Sequence, residues 1–365
     1  MNGIINIYKE RGYTSHDVVA RLRGITGIRR AGHTGTLDPD AEGVLPVCIG
    51  TATKVCDILT DTSKSYEALM ILGIATDSQD LTGNVIHRAL PEELESLSDS
   101  RILETIAGFT GEYDQLPPMF SAVRKDGQRL YALARSGQEI ERETRNVCIE
   151  KIEAVSDVIR GRFETDVDYD RFYDSSALKQ YRSFGVMREQ GRFARYASKS
   201  FEAGRTVDDP DADELKKDDT QVIRVAFKVT CSKGTYIRTL CHDIGEKLGV
   251  GGCMERLLRT RAGVFDVNTA ITLEQAEEYM REGKLEEHLT GVDSLFDELP
   301  RLDVKEKYDE LLQNGNQLYF RHFKQYITTP PQKVRTYTSK GEFLGIYGYV
   351  EGRNKYSPEK VFIEK

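Results

Sequence analysis

The sequence predicts an α+β fold with a small β-rich domain appended at its C-terminal end. Three observations lead there. Strand-like runs alternate with amphipathic helical stretches through most of the chain. From Gly291 to Lys365 short β-rich runs dominate instead. A length of 365 residues fits two domains, or one large domain with an appendage.

The elements follow in order. Gly3 to Tyr8 reads as a strand. Thr14–Ser15 offers an N-cap, and Val18, Val19 and Leu22 follow at helical spacing; Gly24 or Gly27 ends that helix. Gly32 to Gly50, rich in Gly, Pro, Thr and Asp, reads as a structured loop. Tyr66 to Ile74 predicts a strand bounded by Asp77–Ser78, and Glu92 to Ile106 a helix. Val222 to Thr230 is β-rich. Ile237, Leu240, Cys241, Ile244 and Leu248 mark one apolar face of a helix over Tyr236 to Leu248. Thr272-x-x-Gln275 is a capping box opening another helix. A helix around Val304 to Gln313 stops near Gly315, and β-rich runs follow at Gln317–Phe320, Lys333–Tyr337, Phe343–Val350 and Lys360–Ile363. Ser156 to Thr220 lacks sustained periodicity and ends in an acidic segment, DDPDADELKKDD. Its earlier part interleaves arginines with aromatics such as Phe163, Tyr173 and Tyr181. That pattern suits base stacking, but the favoured reading is an inserted segment that packs its rings on itself, since arginine and aromatics also cover apolar surface in irregular insertions.

Composition sets bounds. A net charge of −8 and a pI near 5.5 argue against a protein that coats nucleic acid through bulk charge. A local basic face is still available: Lys228 to Arg261 holds seven Lys/Arg against three acids. Six scattered cysteines form no C-x-x-C pair, so zinc is not expected, and the thiols read as reduced, in a cytoplasmic protein. The start, MNGIINIYKERG, is no signal peptide, and no run reaches the ~20 apolar residues of a membrane span.

The segment that carries chemistry is GHTGTLDPDAEGVLPVCIGTATK, residues 32–54. Gly32, Gly35 and Gly43 permit tight turns and close backbone approach to a ligand. Pro39 restrains Asp38 toward an extended backbone. A carboxylate on a stiff loop suits a preorganised nucleophile, although a loop aspartate is more often a turn former or helix cap. His33 lies on the same loop, and no P-loop pattern is present.

This segment resembles the signature of the TruB family, the tRNA pseudouridine-55 synthases, in which a G-H-x-G-x-L-D-P-x-A-x-G-x-L-P block carries the nucleophilic aspartate. Further blocks resemble the family's in order: KSYEA at 64–68, QLPPMFSAVRKDGQRLYALARSG at 115–137, CSKGTYIRTLCHDIGEKLG at 231–249 and RLLRTRAGVF at 256–265. The resemblance covers about residues 1–152 and 221–298, and the C-terminal stretch is similar to the PUA-like domain of bacterial members. It implies a pseudouridine synthase fold with a mostly antiparallel mixed sheet: a catalytic domain over 1–298, with an inserted segment at about 156–220, and a PUA-like RNA-binding domain over 299–365.

The resemblance also implies roles. Asp38 is the nucleophile, and Arg238 pairs with it, favouring the ionised carboxylate. Tyr66 stacks on the flipped uracil and acts as base. Tyr236 and Leu257 line the base pocket, and His33 occupies the vacated helical site or positions the T loop. Uracil's π face suits an aromatic platform, and a base is reworked only after extrusion. From the residues alone, Tyr236 and Leu257 read equally as core and Arg238 as surface. The implied reaction breaks N1–C1′, rotates uracil and forms C5–C1′ at position 55 of the tRNA T arm, without cofactor or metal. Attack at C1′, a glycal route and addition to C6 stay open. The implied partner is tRNA, through its T arm and acceptor stem, with no obligate protein partner and no membrane.

Two features depart from the pattern. The 156–220 stretch is longer than the family usual, and Arg124 stands where Lys is common, beside Lys125. Two rivals are weighed. A guide-RNA-dependent synthase subunit tends to carry Lys-rich tails, which this chain lacks. A pure RNA-binding or tRNA-folding module needs no carboxylate aimed at a base.

Overall fold

The computed structural model describes residues 1–120, 142–163 and 220–363, with the backbone of a short hairpin, Arg124–Lys125 against Gln128–Arg129. The side chains of Arg124 and Lys125, and the insertion beyond Phe163, lie outside the described residues.

In chain order the first elements are β1 (Gly3–Lys9), α1 (Ser15–Thr26), β2 (Ala31–His33), β3 (Glu42–Ile49), α2 (Cys56–Thr60), β4 (Lys64–Leu72), β5 (Ile74–Thr76) and β6 (Val85–Arg88). Then come α3 (Pro91–Glu95), α4 (Asp99–Ala107), β7 (Gly111–Gln115), the hairpin β8–β9 (124–125 and 128–129), β10 (Arg145–Ala154), β11 (Ile159–Arg162) and β12 (Gln221–Cys231). α5 (Ile237–Leu248), β13 (Gly252–Ala262), β14 (Phe265–Asp266), α6 (Leu273–Arg281) and β15 (Leu289–Thr290) complete the larger part. Its sheet runs β15-β1-β3-β13-β4-β12-β10-β7, with β2, β11 and β14 on its flanks. Every pairing is antiparallel except β13 with β3, so the sheet is mixed and mostly antiparallel, as expected.

The two faces of β1 and β3 enter different cores. Ile5, Ile7, Leu45 and Val47 pack under α1 and α6 with Val18, Leu22 and Ala276. Ile4, Tyr8, Val44 and Cys48 join Val55, Leu59 and Phe265. Farther along the sheet, α4 and α5 cover Met70, Val225, Phe227 and Ile152 through Ile102, Ile106, Leu240 and Ile244. Capping follows local chemistry. Thr14 and Thr272 each close a capping box, and Gly27, in the left-handed region at φ 71°, ends α1.

The smaller part has β16 (Arg301–Asp303), α7 (Asp309–Gln313), β17 (Leu318–Tyr319), β18 (Lys333–Tyr337), β19 (Phe343–Val350) and β20 (Lys355–Val361). Its sheet order is β16-β18-β19-β20-β17, around a core of Val304, Leu312, Val334, Tyr347 and Tyr356. It is a curled β half-barrel of PUA-like type. It is bolted to the larger part: Ile346 and Phe362 enter the cluster with Val55 and Leu59, Lys360 pairs with Asp57 at 2.9 Å, and Lys54 Nζ donates to Val361 O at 2.7 Å.

Several expectations need correction. The loop foreseen over Gly32 to Gly50 is only Thr34–Ala41; Glu42–Ile49 is a strand whose Pro46 sits opposite Asn6. The Glu92–Ile106 helix is two helices, broken where Ser98 caps the second. The helix at Val304–Gln313 shrinks to a 3₁₀ turn and α7, and the last run begins at Lys355, not Lys360. Within the segment foreseen as an insertion at about 156–220, Ile159–Arg162 forms a strand that pairs with β12, and Phe163 N donates to Thr220 O at 2.8 Å. The basic run Lys228–Arg261 is not one open patch. Lys228 and Lys233 pair with Glu67 and Asp61, and Arg238 and Arg259 are buried.

Gly43 shows how tightly the site's neighbourhood is built. Its φ is 106°, and a Cβ there meets Arg259 O at 2.2 Å, across the parallel β3–β13 contact. Gly43→Ala is expected to cost about 2–4 kcal/mol, from left-handed strain plus the backbone clash, read as a lowered melting temperature.

Candidate active site

The Asp38 loop is tethered on both sides of the carboxylate. Leu37 N donates to Ser15 Oγ at 2.9 Å, and Ser15 Oγ donates to Leu37 O at 3.1 Å. Gly12 N donates to Pro39 O at 2.9 Å. Lys9, at the end of β1, sends its ammonium inward to Pro39 O at 3.0 Å and Ala41 O at 2.6 Å. Burial pulls Lys9 down to about 8, against the opposing pull of Glu42 and Asp38. One serine hydroxyl, one backbone amide and one lysine therefore fix the loop around a residue whose own side chain stays 39% exposed to the cleft.

Arg238 comes from the first turn of α5. Its Nη2 donates to Asp38 Oδ1 at 3.2 Å, and Nε lies 2.9 Å from Oδ2 but off the hydrogen-bond line. The guanidinium is itself held: Nη1 donates to Ser78 O at 3.0 Å, Nη2 also to Phe120 O at 2.9 Å, and Nη1 lies 3.5 Å from Asp80 Oδ2. Arg238 is 5% exposed, so the surface reading of this residue is corrected. Asp80 is oriented by Ser78 Oγ and Thr82 N, next to Gln79, whose φ of 65° is rare for a non-glycine. Arg238 therefore bridges two carboxylates of the cleft lining, part-exposed Asp38 and buried Asp80.

Tyr66 and Arg259 stand directly opposite on β4 and β13, a register that brings side chains together. Burial pushes the Tyr66 phenol up, and the charge and hydrogen bond of Arg259 oppose that rise. Arg259, 2% exposed, donates Nε to Val44 O at 2.7 Å and Nη2 to Gly35 O at 3.2 Å. His33 Nδ1 accepts from Gly35 N at 3.3 Å, and burial beside His16 pulls the ring down to about 4, so it is neutral at pH 7. The two histidine rings meet edge to face at 5.4 Å.

All six residues singled out in the sequence line one open cleft of about 1430 Å³: His33, Asp38, Tyr66, Tyr236, Arg238 and Leu257. Sequence reasoning missed Lys9, Asp80 and Arg259. Lys9 had a readable signal, a lysine closing the otherwise apolar strand GIINIYK. Asp80 follows the Asp77–Ser78 strand boundary with no motif of its own, and Arg259 reads from sequence as part of a basic face. Among the described residues no cluster of three or more His, Cys, Asp or Glu could hold a metal, and no helix is long and apolar enough to cross a membrane.

The fold is similar to that of solved structures. "Crystal Structure of a Cbf5-Nop10-Gar1 Complex" matches with TM-score 0.58 and 25% identity over 99% of this chain and 85% of that one. "Structure of H/ACA RNP bound to a substrate RNA containing 2'-deoxyuridine" matches with TM-score 0.58 and 22% identity, over the same shares. The model of the TruB family pseudouridylate synthase N-terminal domain matches residues 23–171, and that of the tRNA pseudouridylate synthase B C-terminal domain matches 238–297. The protein is thus an isomerase of the pseudouridine synthase class. The tRNA pseudouridine synthase B of Lachnoclostridium phytofermentans is 41% identical over 366 residues, 100% of both chains. That of Clostridium perfringens is 35% identical over 365 residues, again 100% of both. The chain belongs to the TruB family, with bacterial relatives along its whole length.

Proposed function

We propose that the protein converts a uridine in the T arm of tRNA, at position 55, to pseudouridine, with Asp38 as nucleophile on an extruded base. The observation that carries this is the fixed Asp38–Arg238 pair, with an aromatic platform, Tyr66, in the same cleft. Uridine leaves its stack at a cost of about a few kcal/mol. Uracil then lies against Tyr66, between Tyr236 and Leu257. Asp38 works at the ribose–uracil junction, with Arg238 as its counter-charge. N1–C1′ breaks, C5–C1′ forms, and the C5 proton leaves as N1 gains one, so no atom or electron is gained or lost overall. When Tyr66 acts as base, Arg259 is the group that stabilises its phenolate. Neutral His33 at the mouth suits stacking against the T loop. The assay that tests this maps pseudouridine in an unmodified tRNA transcript after exposure to wild type and Asp38→Asn. It uses the free protein with no guide RNA, so it also separates the stand-alone enzyme from a guided subunit.

The smaller sheet supplies a second contact. Lys305, Lys307, Arg321 and Lys324 have no carboxylate in ion-pair range among the described residues. Arg321 lies 5.1 Å over the ring of half-exposed Tyr319, and Tyr326 is 93% exposed. Unpaired cations beside open rings suit phosphates and unstacked bases, and we assign this face to the acceptor stem. Lys305→Ala with Arg321→Ala is expected to weaken tRNA binding by about tenfold and flatten its salt slope by roughly 1–2. The single-turnover rate at saturating tRNA stays unchanged. An unaltered salt slope sinks the assignment.

A further inference from the structure

Helix α5 carries Arg238 in its first turn but has no side-chain cap of its own. Tyr236 stands at the cap position and offers none. The missing partner comes from another strand. Gln115, the last residue of β7 and 1% exposed, accepts from Tyr236 N through Oε1 at 2.8 Å. It donates to Tyr236 O through Nε2 at 3.0 Å. One amide thus pairs with both backbone groups of one residue, as a neighbouring strand would. Tyr236 O also accepts from Leu240 N at 3.0 Å, so the pairing grips the helix itself. The amide is held from behind. Nε2 also donates to the Tyr113 phenol, which donates to Asp243 of α5. The segment just beyond Gln115 supplies Phe120 O to the Arg238 guanidinium. The same strand end therefore fixes both the backbone before Arg238 and its head group.

We propose that Gln115 is a positioning residue for the isomerisation: its amide sets the start of α5, and with it Arg238 against Asp38 and Tyr236 in the cleft. The inference rests on the active-site reading above. A residue in this place must donate and accept at once over the width of one amide. Methionine cannot donate and its thioether accepts only weakly, and an ionised glutamate only accepts, turning a second oxygen toward Tyr236 O. A protonated glutamate restores both bonds.

The test measures single-turnover pseudouridine formation and tRNA affinity for wild type, Gln115→Met, Gln115→Glu and Asp38→Asn. Gln115→Met is expected to lose about 10–100-fold in rate with tRNA affinity kept within about twofold, the size of effect a small misplacement produces. Gln115→Glu discriminates. Its rate relative to wild type is low near pH ~8 and recovers toward pH ~5.5, as the buried carboxyl takes up a proton. The Gln115→Met ratio stays flat. Tyr113 of β7 faces this position, with Asp243 behind it and His242 and Glu246 alongside on α5; wild type carries the same groups, so the ratio removes their titration. A merely structural glutamine lowers the melting temperature without this pH-dependent recovery, and that result overturns the proposal. So does a folded Gln115→Met variant with the wild-type rate. If Gln115→Met does not fold, Gln115→Glu, which keeps the bond from Tyr236 N, decides. Activity surviving in Asp38→Asn overturns the active-site reading instead. An inactive Asp38→Asn beside fully active Gln115 variants overturns this inference alone.

Discussion

Asp38→Asn is expected to abolish turnover, by at least about 10⁴-fold, while tRNA still binds. Asparagine keeps the size of the side chain and one acceptor for Arg238, but it is no nucleophile. The fold tolerates the exchange. Asp38 is part-exposed, its loop is tied through backbone atoms and Ser15, and Arg238 keeps Asp80 as counter-charge. The stability cost is on the order of 1 kcal/mol. Chemical adduct and primer extension read the outcome at nucleotide resolution: a single T-arm stop with wild type, none with the variant. Measurable turnover in Asp38→Asn removes the carboxylate from the chemistry.

Arg238→Lys is the second large effect, although the charge is conserved. The guanidinium reaches Asp38, Asp80, Ser78 O and Phe120 O from one planar fork. A lysine ammonium is a compact point charge on a flexible stem and cannot span four partners in those directions. We expect the single-turnover rate to fall about 10²–10³-fold with RNA affinity little changed. Arg238→Met goes further. It leaves Asp80, 9% exposed, without its cation, and is expected to cost about 3–5 kcal/mol in thermal or denaturant unfolding. A lysine variant with wild-type rate means that charge alone, not the fork, sets Asp38.

Local signals were legible and long-range ones were not. The caps at Thr14 and Thr272 and the apolar strands β1, β4 and β12 follow from near neighbours, and the structure has them where the pattern puts them. β3 was hidden by Pro46, which argues against a strand. β13, GCMERLLRTRA, was hidden by its charges, whose partners lie far away in sequence: Glu255 with Arg224, Arg256 with Glu42, Arg261 with Ser65. Each charge is satisfied across the sheet, so a central strand carries side chains that ordinarily mark a surface. The site shows the same division. Its six cleft residues were readable through motif blocks. Asp80, Lys9 and Arg259 act through partners 30 to 224 residues away in sequence, and only the folded sheet brings those partners near.

The junction between the two sheets has a consequence for substrate choice. It is closed by a shared apolar cluster, by Lys360 on Asp57 and by Arg335, whose Nη1 donates to Asp293 O at 3.3 Å. Two surfaces joined this way behave as the jaws of a fixed gauge rather than as beads on a string. An RNA that touches both must bring its reactive loop and its far end to one set separation. On the proposed reading of both contacts, stems longer or shorter by a few base pairs are expected to reach one jaw and miss the other, whatever their loop sequence.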